Sequence, residues 1–330
     1  MPTPCVRAPV VEGEATRETL AEASLLDGDR EIAVEDGEIF LPVVDADAAR
    51  AAGHEVVDRD TAERTGPQPP AEILGFDPSY GRLGDVVILD EDDPERARAI
   101  ADAIVESDVP CETVVNRASK VRGEYRVREW DLLYGERTET VHREYGHEFA
   151  LDIAAVYFSP RLATERHRVV ERVAAGERVV DMFAGVGPFV VPFAERGAEV
   201  LACDVNPRAV EYLRENAERN GVADRVTALE GDVRETTADR DGWADRVVMN
   251  LPHSADAFLD TAVRLAGDSC VLHLYDISHE DDPFGPSERA VRAAAEPEGY
   301  EVEPLTRREV RSYAPHEVNV CLDARISRTE

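Results

Sequence analysis

The stretch VVDMFAGVGPF, residues 179–189, decides the fold. Val179 and Val180 read as the start of a buried strand that Asp181 closes, and a glycine turn then leads into a helix. A strand–turn–helix of this kind presents backbone N–H groups to a nucleotide-like ligand. Gly185 and Gly187 leave the turn without side chains, so a ligand can approach the backbone. A dinucleotide fingerprint would place a third glycine or an alanine three residues after the second, and Val190 stands there instead, which counts against a nicotinamide cofactor. A second strand, EVLACDVN, ends in Asp204, 19 residues after Gly185. A carboxylate at that distance can bind ribose hydroxyls in either cofactor class.

Two further strand ends stand in register with these. EGD, Glu230 to Asp232, closes a third apolar run, and MNLPH, Met249 to His253, closes a fourth. Open α/β sheets bind ligands at the carboxyl ends of their strands. The four features together resemble a class I methyltransferase, and that resemblance implies S-adenosylmethionine as cofactor. His253 is expected to line the pocket without doing chemistry.

The 330 residues leave room for two or three domains and a sizeable core. No apolar run approaches the ~20 residues of a membrane span, and the N-terminus does not read as a signal peptide, so a cytoplasmic protein is expected. Cys5, Cys111, Cys203, Cys270 and Cys321 lie far apart without a CxxC pair, which points to reduced thiols and to no metal site. The scattered histidines likewise show no metal spacing. The 69 acidic residues outnumber 37 basic ones for a formal net charge of −32, and Lys120 is the only lysine. Acidity spread along the whole chain fits a halophile's salt-filled cytoplasm. It would ordinarily exclude nucleic acid, but at molar salt the Debye length is only ~3 Å and local arginines decide.

The organisation expected is α/β, with a C-terminal Rossmann-like methyltransferase sheet, residues 151–330, preceded by two smaller α/β or α+β domains, residues 1–65 and 66–150. In the first, DG at Asp36 and Gly37 reads as a hairpin turn. TGPQPPAE, Thr65 to Glu72, reads as a linker. The middle domain has a strand, GDVVILD, and a helix with Asp93 as cap and Pro94 in its first turn. Strands ETVVN and ETVHREYGHEF follow. Between them NRASKVRGEYRVREW carries Arg117, Lys120, Arg122, Arg126 and Arg128, with Tyr125 and Trp130 interleaved. It reads equally as a nucleic-acid surface or as a solvated strand face paired with Glu112, Glu124 and Glu129. VYFSPRLATERHRVVERV reads as a helix with Ser159 as cap and Pro160 at its first position. Arg161, Glu165, Arg168 and Arg172 share one of its stripes, either as exposed salt bridges or as a wall of the pocket. SCVLHLYDI adds a fifth strand, AVRAAAEPEGY a short helix, and VEPLTRREVRSY and VNVCLDARI two last strands.

YFSPRLATER, DMFAGVGPF, CDVNP, EGDV and MNLPH, in this order, make the chain resemble the archaeal and eukaryotic tRNA guanine-N1 methyltransferases, over about residues 70 to 330. The resemblance implies methyl transfer to N1 of the guanine just 3′ of the anticodon, with a tRNA substrate, no catalytic metal and a monomeric enzyme. It makes Glu165 the base for N1, Arg126 the cation for O6, and Asn250 and Pro252 the turn that holds the target base. Tyr157 and Arg161 would line the pocket. Arg161, Arg168, Asp181, Phe183, Gly185, Gly187, Asp204, Val205, Asp232, Val233 and Asn250 would contact the cofactor, and Arg117, Lys120, Arg122 and Arg128 the RNA. Residues 1–65 correspond in position to a small domain that meets the outer corner of tRNA. The alternatives are an aminocarboxypropyl transferase or a bifunctional enzyme of wybutosine-type modification and, from another class, a non-catalytic tRNA-binding protein.

Overall fold

The computed structural model describes residues 2–63, 68–120, 123 and 125–329. It forms two compact units, Met1–Pro69 with Glu106–Asp108, and Pro70–Val105 with Val109–Glu330. The first unit contains β1 (Thr3–Pro9), α1 (Gly13–Glu22), β2 (Ala33–Glu35), β3 (Glu38–Pro42), α2 (Ala46–Ala51) and β4 (Val56–Arg59). Its strands pair in the order β2-β3-β1-β4. The expected turn lies between β2 and β3, where Asp36 and Gly37 take φ values of 53° and 83°, the left-handed pair that a two-residue hairpin requires. Asp45 caps α2 by accepting from the Asp47 and Ala48 N–H groups. Of the linker stretch, Thr65, Gly66 and Pro67 lie outside the described residues.

The second unit opens with α3 (Pro70–Leu74), β5 (Gly81–Leu83), β6 (Val86–Leu89), α4 (Pro94–Glu106), β7 (Thr113–Arg117) and β8 (Trp130–Tyr134), the strands pairing in the order β5-β6-β7-β8. Asp93 Oδ1 caps α4 through the Glu95 N–H at 2.9 Å. Among its described residues the arginine-rich segment forms no strand between β7, which ends at Arg117, and β8, which starts at Trp130. ETVHREYGHEF is two strands, β9 (Glu139–Glu144) and β10 (His147–Asp152), because Tyr145 and Gly146 turn the chain with φ of 48° and 88°.

The remainder builds one seven-stranded sheet. After α5 (Ala163–Val170) come β11 (Arg178–Asp181), α6 (Val190–Glu195), β12 (Glu199–Asp204), α7 (Pro207–Arg219), β13 (Val226–Glu230), α8 (Val233–Thr236), β14 (Ala244–Met249), α9 (Leu259–Leu265), β15 (Ala266–His279), α10 (Gly285–Ala295), β16 (Tyr300–Ala314) and β17 (Glu317–Arg328). The order is β13-β12-β11-β14-β15-β17-β16, with β17 alone antiparallel to its neighbours. Side chains alternate between two buried faces. Val179, Val200 and Val248 pack with residues of α5, α6 and α7 on one face. Val180, Leu201, Val247 and Leu272 pack with those of α9 and α10 on the other.

Two local expectations need correction. Ser159 occupies the cap position with an extended backbone, but its side chain makes no capping bond, and a 3-10 turn, Pro160–Leu162, precedes α5. Its carbonyl oxygen instead accepts from the Arg166 guanidinium at 3.1 and 3.2 Å. Gly187, with φ 90°, has helix α7 at its back: a Cβ there would sit 2.5 Å from Leu213 Cδ1. Its missing side chain admits a packed helix, whereas a Cβ on Gly185, with φ 54°, would meet nothing nearer than the Tyr157 carbonyl oxygen at 3.9 Å.

Candidate active site

The four sequence features meet at one rim of the sheet, in a cleft of about 580 Å³. Phe183 and Gly185 after β11, Asp204 and Val205 at the end of β12, Asp232 and Val233 after β13, and Asn250 and Pro252 after β14 all line it. A larger cavity of about 830 Å³, between β9 and α7, contains none of these residues. Volume alone therefore does not locate the chemistry.

Asp204 organises one half of the cleft. Its Oδ2 accepts the Gly185 N–H at 2.7 Å and its Oδ1 the Asn206 N–H at 2.9 Å. Burial raises its pKa and those two backbone bonds restrain the rise. Asp181 lies beneath the glycine turn, 1 % exposed, with Oδ1 accepting the Phe183 N–H at 3.2 Å and Oδ2 accepting nothing. Burial pushes its pKa up to about 7 despite the Phe183 bond, and the Asp204 charge adds to the rise. Asp232 caps α8, and its bonds to Arg234 hold its pKa below the ordinary carboxylate value. Arg234 lies over the Phe258 ring at 4.7 Å, and Phe258 meets Phe183 edge-on at 5.0 Å. Open space at Gly185 and carboxylates at successive strand ends fit the hydroxyl donors of an adenosyl cofactor, while Asp181, which does not line the cleft, keeps one oxygen unpartnered behind the turn.

The other half of the cleft abuts a second one of about 440 Å³. Arg126, Tyr157, Phe158, Ser159 and Arg311 line both. Arg126, with φ 53°, holds its guanidinium 5.2 Å from the Tyr157 ring centre. Arg82, Arg117, Arg128 and Arg161 belong to the second cleft. Most arginines of this acidic chain find a carboxylate, and Arg117 pairs with Asp90. Arg82, Arg126, Arg128, Arg161 and Arg311 make no ion pair among the described residues, and a cation set so arranged suits phosphates. Arg128 has a lowered pKa, from burial and then from Arg117. Lys120 lines neither cleft, and Arg122 lies outside the described residues.

Glu165 and Arg168 do not reach the wall. Glu165 is 4 % exposed; Arg168 donates to both its oxygens at 2.7 and 2.9 Å, Arg308 Nε lies 2.8 Å from Oε2, and the Tyr275 hydroxyl donates to Oε1 at 3.1 Å. Glu165 and Arg168 of that stripe thus belong to a buried network rather than a line of exposed pairs, the exposed Arg172 joins it through Asp323, and the exposed Arg161 stays outside it. Arg168 and Arg172 both donate to Asp323 at 2.6 Å. Arg246 Nη1 lies 2.7 Å from His273 Nε2, which leaves the Nδ1–H of a neutral ring to donate to Asp323 at 2.6 Å. Burial pushes the His273 pKa down, in keeping with that neutral ring. Burial would raise Asp323, but His273 and Arg168 hold it well below the ordinary range. His273, Cys321 and Asp323 stand within reach of one metal ion, yet their hydrogen bonds already join them to the network. The sequence reading missed Tyr275, Arg308 and Asp323; an aspartate inside the apolar strand VNVCLDARI was the one signal for the last.

This loop and its strand-end carboxylates define a class I methyltransferase site. A family model for the TRM5/TYW2 methyltransferase domain matches residues 140–303. A TYW2 N-terminal domain matches residues 69–138 and a tRNA methyltransferase 5 N-terminal domain residues 5–49. The chain is 40% identical to the tRNA (guanine(37)-N(1))-methyltransferase Trm5b of Pyrococcus abyssi over 98% of its own length and 99% of that protein. The crystal structure of that relative superposes with a TM-score of 0.71. A complex of aTrm5 with tRNALeu gives 0.72 at 34% identity, covering 97% of this chain and 99% of that one. The tRNA(Phe) (4-demethylwyosine(37)-C(7)) aminocarboxypropyltransferase of Pyrococcus horikoshii is 34% identical over 79% of this chain and 94% of its own. The chain belongs to the TRM5/TYW2 methyltransferase family.

The raised pKa of Asp181 yields a signed prediction. In the free protein below about pH 7 the carboxyl is largely protonated. A ligand that donates a hydrogen bond to its free oxygen favours the ionised form, so binding must expel a proton. Cofactor affinity should rise with pH up to about 7 and then level, with proton release visible by calorimetry in buffers of differing ionisation enthalpy. Asp181→Asn should abolish both; a wild-type affinity independent of pH from 5 to 8 would exclude Asp181 from the site.

Proposed function

We propose that this enzyme transfers the methyl group of S-adenosylmethionine to N1 of guanine 37 in tRNA, as its Pyrococcus abyssi relative is named for doing. One observation carries the reading: the cleft that fits the cofactor adjoins, through Arg126, Tyr157 and Arg311, a cleft in which Arg82, Arg126, Arg128, Arg161 and Arg311 make no ion pair among the described residues. A base extruded from an anticodon loop held in the second would enter the first. Relatives of the aminocarboxypropyl class match a smaller share of the chain, which favours methyl transfer.

The bound cofactor supplies an electrophilic methyl group; the chain must make guanine a nucleophile. N1 carries a proton at neutral pH, so a base has to take it while a cation steadies the charge growing on O6. Arg126 is the cation, unpaired and at the junction of the clefts. Asn250 offers a donor and an acceptor to the base edge, Pro252 fixes the turn, and the exposed Tyr157 ring gives a stacking surface. Arg117, Lys120, Arg122, Arg128 and Arg161 take backbone phosphates, and residues 1–65 meet the corner of the tRNA. Arg161 thus serves RNA rather than cofactor, and Gly187 and Arg168 serve the packing behind the site. The enzyme acts as a monomer in a salt-rich cytoplasm, with three functional parts, residues 1–65, 66–150 and 151–330.

Glu165 takes the N1 proton in this reading, although its carboxylate is clamped in the free chain. Arg308, its more exposed arginine partner, has to withdraw when tRNA docks. Mass analysis of nucleosides from tRNA incubated with enzyme and cofactor should show 1-methylguanosine; an aminocarboxypropyl adduct or no product would overturn the assignment. Glu165→Gln should keep cofactor affinity and slow single-turnover methylation by roughly 10²- to 10⁴-fold. Near-normal methylation with only a lower melting temperature would leave Glu165 as part of the buried network.

A further inference from the structure

Five buried side-chain polar atoms among the described residues have no hydrogen-bond partner, on Thr61, Arg117, Asp181, Arg311 and Asn319. Asp181 already carries the pH dependence predicted for cofactor binding, and the proposed function uses Arg117 for RNA. Of the other three, Thr61 belongs to the first unit, and Arg311 and Asn319 are directly opposed residues of β16 and β17. Both line the cofactor cleft, and Arg311 lines the basic cleft as well. Asn319 is 4 % exposed with a bare Oδ1, and Arg311 has a bare Nε. A buried acceptor beside a buried donor, each unmet, costs stability unless a ligand completes them.

Their place in the sheet says which ligand. Along the rim the pocket residues run from Asp232 after β13 through Asp204 on β12 and Asn250 after β14 to Ile277 on β15, then Asn319 on β17 and Arg311 on β16. The carboxylates that fit the adenosyl group occupy the β13–β12 end, so the β17–β16 end faces the other reactant. We propose that Arg311 and Asn319 are specificity-determining residues that grip the target nucleotide through one of its adjacent acceptor–donor pairs, a deduction that rests on the function proposed above. Arg311 Nε–H donates and Asn319 Oδ1 accepts. N1 must stay open to the methyl group and O6 is met by Arg126, so two sources of this chemistry remain on the nucleotide. One is the ribose 2′-hydroxyl, which accepts and donates at a single oxygen; the other is the N3 and N2–H edge of guanine.

Single-turnover methylation of three tRNAs separates them: unmodified, with 2′-deoxyguanosine at the target position, and with inosine there, which lacks the N2 amino group. Wild-type enzyme should methylate the first and lose about 10- to 100-fold on one of the others, the range expected for hydrogen bonds to a charged or buried group. Loss on the deoxy substrate assigns the hydroxyl, and loss on inosine the base edge. Asn319→Ala and Arg311→Ala should each be slow on unmodified tRNA, no slower on the sensitive analogue, and normal in cofactor affinity. Wild-type rates equal on all three tRNAs, or variants that discriminate as wild type does, would overturn the proposal while leaving guanine methylation intact. Should a variant fail to bind cofactor, the analogue series on wild-type enzyme decides by itself. A wild-type enzyme inert on unmodified tRNA would instead overturn the underlying function.

Discussion

The hydrogen bond from the Gly185 N–H to Asp204 Oδ2, 2.7 Å long, ties the turn after β11 to the end of β12, and the site depends on it. It consumes the Gly185 N–H, as Cys203 O and Ala184 O consume those of Ala184 and Gly187, and it orients a half-buried carboxylate at the cleft. The same carboxylate anchors the Asn206 N–H at the entry to α7, and Asn206 Oδ1 then accepts from the Arg208 N–H as the cap of that helix. One side chain thus sets two loops and a helix start. Gly187 completes the arrangement from behind by letting Leu213 of α7 pack against the turn.

A second constraint holds the substrate half. Glu165, Arg168, Arg172, Asp323 and His273 join α5 to β15 and β17 through charge-assisted bonds. Removing one member of such a buried network leaves another charge without a partner, which is the costly way to perturb it. The network ties α5 to the strands that carry Ile277 and Asn319, and Arg308 on Glu165 ties it to β16, which carries Arg311. In a chain of net charge −32, arginines that make no ion pair among the described residues at one cleft mark where a polyanion can approach.

Much of this was legible in the residues. The shared rim follows from four apolar runs ending at Asp181, Asp204, Glu230 and Met249, because a parallel sheet puts such ends on one side. Gly185, Asp204, Asp232 and Asn250 came together there as their positions implied. What pattern could not supply were contacts between elements distant in sequence: Leu213 against Gly187, Arg308 and Tyr275 on Glu165, Asp323 under Arg168. The stripe on α5 read either as an exposed ladder or as a wall of the pocket because periodicity records which residues share a face, not what covers it. The hairpin split at Tyr145 escaped because a tyrosine rarely takes positive φ, so the turn lacked its usual signal. Asn319 and Arg311 sat in strands whose alternation was plain and whose polar residues gave no sign of facing a cleft.

Calorimetric titration of cofactor into Asp204→Ala measures the central claim most directly. If the Asp204 carboxylate both sets the glycine turn and receives the ribose, affinity falls by about 1.5 to 3 kcal/mol, the worth of hydrogen bonds to a charged group, while the protein stays folded. Unchanged cofactor affinity in a folded Asp204→Ala variant would contradict the account.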